Sequence, residues 1–140
     1  MIRKFRNADL SQVLDIWLEG NLQAHSFITA SYWKNNVGFV SSALPKACVY
    51  VYEEKGIVIA FVGLEENHIA GLFVKEEYRS RGIGHSLLDF IKHVYGSLTL
   101  CVYEKNLRAL NFYKNEEFEV VDRKIDSAVE EAEYMMKWIR

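Results

Sequence analysis

The sequence holds one proline, Pro45, in 140 residues, and only two cysteines, Cys48 and Cys101. The cysteines are far apart and form no Cys-x-x-Cys pair, so a disulfide scaffold is excluded and no metal is expected. Both lie in apolar runs, which predicts reduced core cysteines and suits a cytoplasmic protein. Neither sign of charge prevails: 17 Lys and Arg stand against 19 Asp and Glu, for a formal net charge of −2. That argues against nucleic acid as the main partner. No apolar run approaches the roughly twenty residues of a membrane helix. The N-terminus goes straight into Arg3-Lys4-Phe5-Arg6 without a leader pattern, so no membrane partner is expected. With eight glycines and the single proline, there is no low-complexity linker. One domain over residues 1–140 is expected, large enough to bury a real core.

What is present is apolar and patterned: half of the residues are hydrophobic and 14% are aromatic. Ile2 to Arg6 alternates as a half-buried strand does. Asn7 is a candidate cap for a helix carrying Leu10, Val13, Leu14, Trp17 and Leu18, with Gly20-Asn21 as its stop. A second helix is expected from Ser26 or Thr29 to about Leu44, ended by Pro45. Three strands follow on short turns: Ala47 to Tyr52, Ile57 to Leu64 and His68 to Val74. Such turns imply an antiparallel meander. Ile83, Leu87, Leu88, Ile91, Val94 and Tyr95 recur at helical spacing. Ser97 to Tyr103 is an apolar strand that, reached through this helix, should run parallel to strand 68–74. Asn106 caps a short helix to about Lys114, and strands near 118–124 and 133–139 close the chain. The order β-α-α-β-β-β-α-β-α-β-β predicts an α/β fold with a mixed sheet and helices on both faces.

Chemistry concentrates after strand 68–74. Gly82 and Gly84 stand where the charged loop enters the helix at Ile83. A helix start presents unpaired N–H groups and a partial positive charge, and glycine lets an anion approach the backbone. Arg79 and Arg81 add charge. No Gly-Lys-Ser/Thr follows, so this is not a Walker A loop; the residues alone allow either a phosphate cradle or a plain turn.

The spacing Arg79-x-x-Gly82-x-Gly84 after a strand resembles the Arg/Gln-x-x-Gly-x-Gly/Ala signature of the GNAT N-acetyltransferases. About twenty residues on, strand Leu100 to Tyr103, Asn106, then Ala109, Phe112 and Tyr113 resemble the second half of that family's cofactor site. The element order matches as well, so the resemblance spans essentially the whole chain. It implies a mostly antiparallel sheet whose central parallel pair splays apart, with acetyl-CoA as cosubstrate and no metal. Backbone groups of Leu72, Phe73 and Val74 would meet the pantetheine arm and thioester. Those of Arg79, Ser80, Arg81, Gly82, Ile83, Gly84 and His85 would meet the pyrophosphate. Asn106 would touch the cofactor beside its capping role, and Tyr113 would face the sulfur as general acid. The acceptor would be an amine of a small molecule or a protein, and the assembly a monomer or homodimer. One departure is Glu117-Phe118, where the family has Gly-Phe; Asn115 is the best local substitute for the missing left-handed glycine.

Several residues keep two readings. Tyr113 is a core tyrosine or the acid. His68, expected to share a face with Ala70, Leu72 and Val74, is a polar strand end or a catalytic base. His25 and Phe27 fall where the family builds its acceptor pocket, and Tyr103 ends a strand beside the cleft, which makes these three the candidate substrate contacts. A non-catalytic acyl-CoA-binding or sensing module would share the cofactor residues but would not need Tyr113.

Overall fold

Two short turns fold the middle of the chain onto itself. Lys55 and Gly56, at φ 53° and 80°, make a two-residue hairpin loop between β2 (Cys48–Glu54) and β3 (Ile57–Glu65). Positive φ at both central residues is the hairpin geometry that matches strand twist. β3 then returns as β4 (His68–Val74). The other strands are β1 (Ile2–Lys4), β5 (Ser97–Tyr103), β6 (Glu119–Asp126) and β7 (Glu131–Ile139). The computed structural model describes residues 1–140 and joins all seven in one sheet of order β1-β2-β3-β4-β5-β7-β6. Every pairing is antiparallel except β4 with β5.

Helices cover both faces. On one side α1 (Leu10–Ala24) lays Val13 and Ile16 against Val49, Val51, Val58 and Phe61. On the other, α4 (Ile83–Val94) buries Ile83, Leu87, Leu88 and Ile91 against Ile59, Val62 and Leu100. α5 (Leu107–Asn115) adds Leu110 and Tyr113 to that second layer. Each of those four α4 side chains contributes about 1.5–3 kcal/mol by leaving water. No helix is long and apolar enough to cross a membrane.

The structure corrects several local expectations. α1 does not stop at Gly20-Asn21 but runs to Ala24; Gly20 is there because the Phe73 ring lies on it, 2.5 Å from where a Cβ would stand. Residues 7–9 form a 3-10 turn before α1, and Asn7 caps nothing. The work falls to Asp9, whose carboxylate accepts from the Arg6 N–H and from Arg3, both at 2.8 Å. The second helix is two helices, α2 (Ala30–Asn35) and α3 (Val37–Ala43). They part at Asn36, whose side chain donates to the Tyr32 carbonyl at 2.7 Å and so competes with the helix ladder. The cysteines are not core residues: Cys48 is exposed and Cys101 half-buried. The left-handed residue before Phe118 is Glu117 itself, at φ 71°, not Asn115.

A bulge corrects the reading of His68. Gly63 pairs with Gly71 and Leu64 with Ile69, so Ala70 is an extra residue in β4. One added residue reverses the alternation. Ile69, Leu72 and Val74 therefore face α4, and His68, next to Ile69, points to the opposite face.

Candidate functional site

β4 and β5 are each seven residues long but pair only at His68 with Thr99 and Ile69 with Leu100. Beyond those two rungs each strand follows its other neighbour. β4 stays on β3 as far as Val74 with Ala60, and β5 stays on β7 as far as Tyr103 with Glu133. Phe73 explains part of the parting. Its ring is wedged between Gly20 and Gly71, at 2.5 and 2.9 Å from the positions their Cβ atoms would take, which holds the second half of β4 against α1. The result is a crevice at the C-terminal ends of two parallel strands, the usual place for a ligand in an open sheet. Along it, the β5-facing backbone groups of Gly71 to Val74 have no strand partner.

At the open end of β4 the chain makes a 3-10 turn, Glu76–Tyr78, and enters the loop to α4. Ser80 and Gly82 adopt φ 63° and 78°. The backbone N–H groups from Ser80 to His85 donate to no acceptor in the protein; the first bond from this helix is Ser86 N–H to Gly82 at 2.9 Å. A row of unsatisfied N–H groups at a helix start is an anion seat. Arg79, just before it, turns back toward β4 and α1, its Nε donating to the Val74 carbonyl at 3.1 Å and its Nη2 to Gln23 Oε1 at 3.0 Å. Burial, then the nearby Arg108 guanidinium, pulls the Arg79 pKa down. Two cations that disfavour each other are both relieved by an anion between them. Gly84 has a packing role as well: a Cβ there would stand 3.2 Å from Phe112 Cζ and 3.7 Å from Leu72 Cδ2. The side chain of His85 points along α4 to Glu116, at 2.7 Å.

Asn106 caps α5 as expected, its Oδ1 accepting from the Ala109 N–H at 3.2 Å. Its Nδ2 donates to His25 Nε2 at 3.1 Å. Because Nε2 is thereby an acceptor, the proton of this ring sits on Nδ1, which donates to Asn21 Oδ1 at 3.0 Å. Burial pushes the His25 pKa down to about 4, so the ring is neutral. It stacks on Trp33 at 5.4 Å and meets the edges of Phe27 and Tyr103 at 5.7 and 5.0 Å. The Tyr103 hydroxyl donates to Asp126 Oδ2 at 2.9 Å. The ammonium of Lys105 lies over the Phe27 ring at 5.5 Å and pairs with Glu131 at 3.0 Å. His25, Phe27, Tyr103 and Asn106 thus form one cluster, although both nitrogens of His25 are committed within the protein.

Tyr113 lies between Phe112 and Phe118, at 5.2 and 5.6 Å. Burial raises its pKa above the usual tyrosine value. Its hydroxyl has no protein partner, yet it is not sealed off, because Trp33 Nε1 is the one unpartnered polar side-chain atom that is fully occluded. His68 stands elsewhere. It is bonded through Nδ1 to Thr99 Oγ1 at 2.8 Å, at the closed end of the crevice, about six residues or roughly 20 Å of strand from Val74. That bond brackets the two strands where they still pair. A polar cavity of about 330 Å3 behind α4 and α5 includes only His85 of the expected site residues.

Sequence reasoning missed Asn21, Gln23 and Arg108. Asn21 and His25 stand four residues apart on one helix, the spacing that brings side chains together; reading Gly20 as a stop hid that relation.

Comparison with known proteins agrees with this geometry. A family profile described as "Acetyltransferase (GNAT) domain" matches residues 45–120. The peptidyl-lysine N-acetyltransferase YiaC of Escherichia coli K12 is 34% identical over 140 residues, covering 99% of this chain and 96% of that one. The solution structure of apo YjaB from Escherichia coli superposes with a TM-score of 0.88 at 27% identity, over 99% of this chain and 96% of that one. The PaiA N-acetyltransferase of Thermoplasma acidophilum, solved with coenzyme A, gives 0.84 at 18% identity, over 100% and 98% of the two chains, and shares the fold. The profile covers more than half of the chain and the YiaC match spans nearly all of it, so the chain belongs to the GNAT family and is an acetyl-CoA-dependent N-acetyltransferase.

Proposed function

We propose that the protein transfers the acetyl group of acetyl-CoA to the ε-amine of a lysine in a peptide or protein, by direct attack of the neutral amine. The observation that carries this is the two-rung ladder between β4 and β5. It leaves an open strand edge, Leu72 to Val74, which an extended chain bearing amide groups can join as an added strand. The N–H row from Ser80 to His85, with Arg79 and Arg108 beside it, suits a pyrophosphate. The second hydrogen of Asn106 Nδ2 remains for the arm between them. The activated thioester is what acetyl-CoA brings. The chain's own groups orient it: a β4 backbone N–H near Val74 polarises the carbonyl as oxyanion donors do, and Tyr113 holds a proton for the sulfur.

Two features support a lysine acceptor. YiaC is named a peptidyl-lysine N-acetyltransferase. Within this chain, Phe27 already receives the ammonium of Lys105 on its face, an attraction that an incoming lysine can share, and Asp126 and Glu131 stand beside it. The test is a peptide with one lysine and a free N-terminal amine, incubated with acetyl-CoA and mapped by fragmentation mass spectrometry. Acetyl on the lysine, with free CoA released in equal amount, is expected. Acetyl on the N-terminal amine alone would overturn the acceptor; CoA bound without release would leave only a binding module.

A further inference from the structure

Three polar or charged residues are buried in this chain: Asp9, Asn21 and His25. Asp9 is explained by its pairing with Arg3 at 2.8 Å. Asn21 and His25 belong to a single directed chain. Asn21 Nδ2 donates to the Trp17 carbonyl at 2.9 Å, and His25 Nδ1–H donates to Asn21 Oδ1 at 3.0 Å. Asn106 Nδ2 donates to His25 Nε2 at 3.1 Å, and the Ala109 N–H donates to Asn106 Oδ1 at 3.2 Å. Each amide is fixed in orientation by its two partners, and the imidazole tautomer follows. Buried polar groups destabilise a fold unless satisfied, and a complete network specifies one arrangement.

The place of this network gives it a consequence for the reaction. α1 and α5 pack on opposite faces of the sheet. Their ends meet through His25 and Asn106 at the C-terminal end of β4 and β5, where the two strands have parted. We infer that Asn21 and His25 are positioning residues for coenzyme A, holding the Asn106 amide and the first turn of α5 at the mouth of the crevice. One hydrogen of Asn106 Nδ2 goes to His25, and that bond sets the direction of the other, which faces the ligand. A helix on the acceptor side thereby controls an amide on the cofactor side. The inference rests on coenzyme A occupying the crevice, and it is independent of the acceptor's identity and of Tyr113.

The test is calorimetric titration of coenzyme A into the wild type, His25→Phe, Asn106→Ser and the double variant. Phenylalanine keeps the aromatic packing and removes the acceptor nitrogen; serine keeps a helix cap but does not reach His25. Each single variant should bind about tenfold more weakly, the size of one buried hydrogen bond, and the double variant no more weakly than the worse single. His25→Gln, whose amide oxygen can accept the same bond, should recover most of the loss. A purely structural role for His25 would not produce this coupling or this rescue. Losses that multiply in the double variant, full affinity in either single variant, or His25→Gln binding as poorly as His25→Phe would each overturn the inference. A wild type that binds no coenzyme A would instead overturn the cofactor reading beneath it.

Discussion

Phe73 and Gly20 are fitted to each other: the Phe73 ring occupies space that any side chain at position 20 would need, with Cδ1 2.5 Å from the missing Cβ. Glycine inside a helix costs about 1 kcal/mol relative to alanine, so this position sacrifices helix stability to seat the ring. Gly20→Ala should therefore run against propensity. Overpacking costs about 1–3 kcal/mol, which outweighs the propensity gain. A net loss of about 1 kcal/mol in chemical denaturation is expected, together with weaker coenzyme A binding, because Phe73 fixes the open half of β4. A stabilised Gly20→Ala protein with unchanged affinity would show that the ring moves aside freely.

Glu117 carries a cost of a different kind. At φ 71° it holds a left-handed conformation that disfavours side chains by about 1–2 kcal/mol. The turn is otherwise well made, with Glu117 N–H donating to Lys114 and Phe118 N–H to Tyr113, at 3.1 and 3.0 Å. Glycine would fit without strain but would lose about 0.5–1 kcal/mol through the freer unfolded chain. Glu117→Gly should gain a net amount of about 0.5–1 kcal/mol, seen as a rise in Tm of about 3 °C, with kcat and KM unchanged.

Much of this was legible because it is local. Strands 68–74 and 97–103, the start of α4 at Ile83 and the cap at Asn106 announce themselves by apolar runs, period and capping chemistry, and the structure places them at those residues. What escaped is long-range. Gly20 reads as a helix stop, and only Phe73, 53 positions away, makes it a helix interior. Gly71 marks a bulge in strand 68–74, but only the pairing shows that Ala70 is the extra residue and that His68 therefore takes the face opposite Leu72 and Val74. The bond of His25 to Asn106 spans 81 positions, and no sequence window contains both. The break at Asn36 depends on where one amide donates.

His25 should make stability depend on pH. Its pKa in the folded protein is about 4, against about 6.5 when exposed. Between these values the unfolded chain binds a proton that the folded chain does not, so stability rises with pH. The contribution is complete above about pH 6.5 and is lost as pH falls toward 4. From pH 7 to pH 5 the loss from this one group is about 2 kcal/mol. Other groups titrate in that range, so the measurement is the difference between the wild type and His25→Gln in urea denaturation at the two pH values. The variant should be less sensitive to acid by about that amount; equal sensitivity would mean that His25 protonates in place.

The role of Tyr113 can be separated from its packing by one oxygen atom. Departing coenzyme A is a thiolate, whose parent thiol should have a pKa near 8.5 by analogy with cysteine. Burial lifts the Tyr113 pKa above that of an ordinary tyrosine, so the hydroxyl is fully protonated at neutral pH. An ordinary tyrosine is already a weaker acid than that thiol, and burial widens the gap. As the group facing the sulfur, it would help through a hydrogen bond that strengthens as negative charge grows there. The proton lost by the attacking amine is equal in number to the one the thiolate takes up on becoming free coenzyme A, so the transfer balances with Tyr113 keeping its own proton. Tyr113→Phe keeps the ring against Phe112 and Phe118 and removes only the donor. Its hydroxyl has no protein partner to strand, so the fold should be unaffected. General acid assistance is worth about 10² to 10⁴ in rate, and the weaker acid favours the low end. Tyr113→Phe should bind acetyl-CoA with wild-type affinity and lose about a hundredfold in kcat, measured in single-turnover mixing so that product release does not mask chemistry. A variant that transfers acetyl at the wild-type rate would make Tyr113 a packing residue and leave the developing charge on sulfur to water.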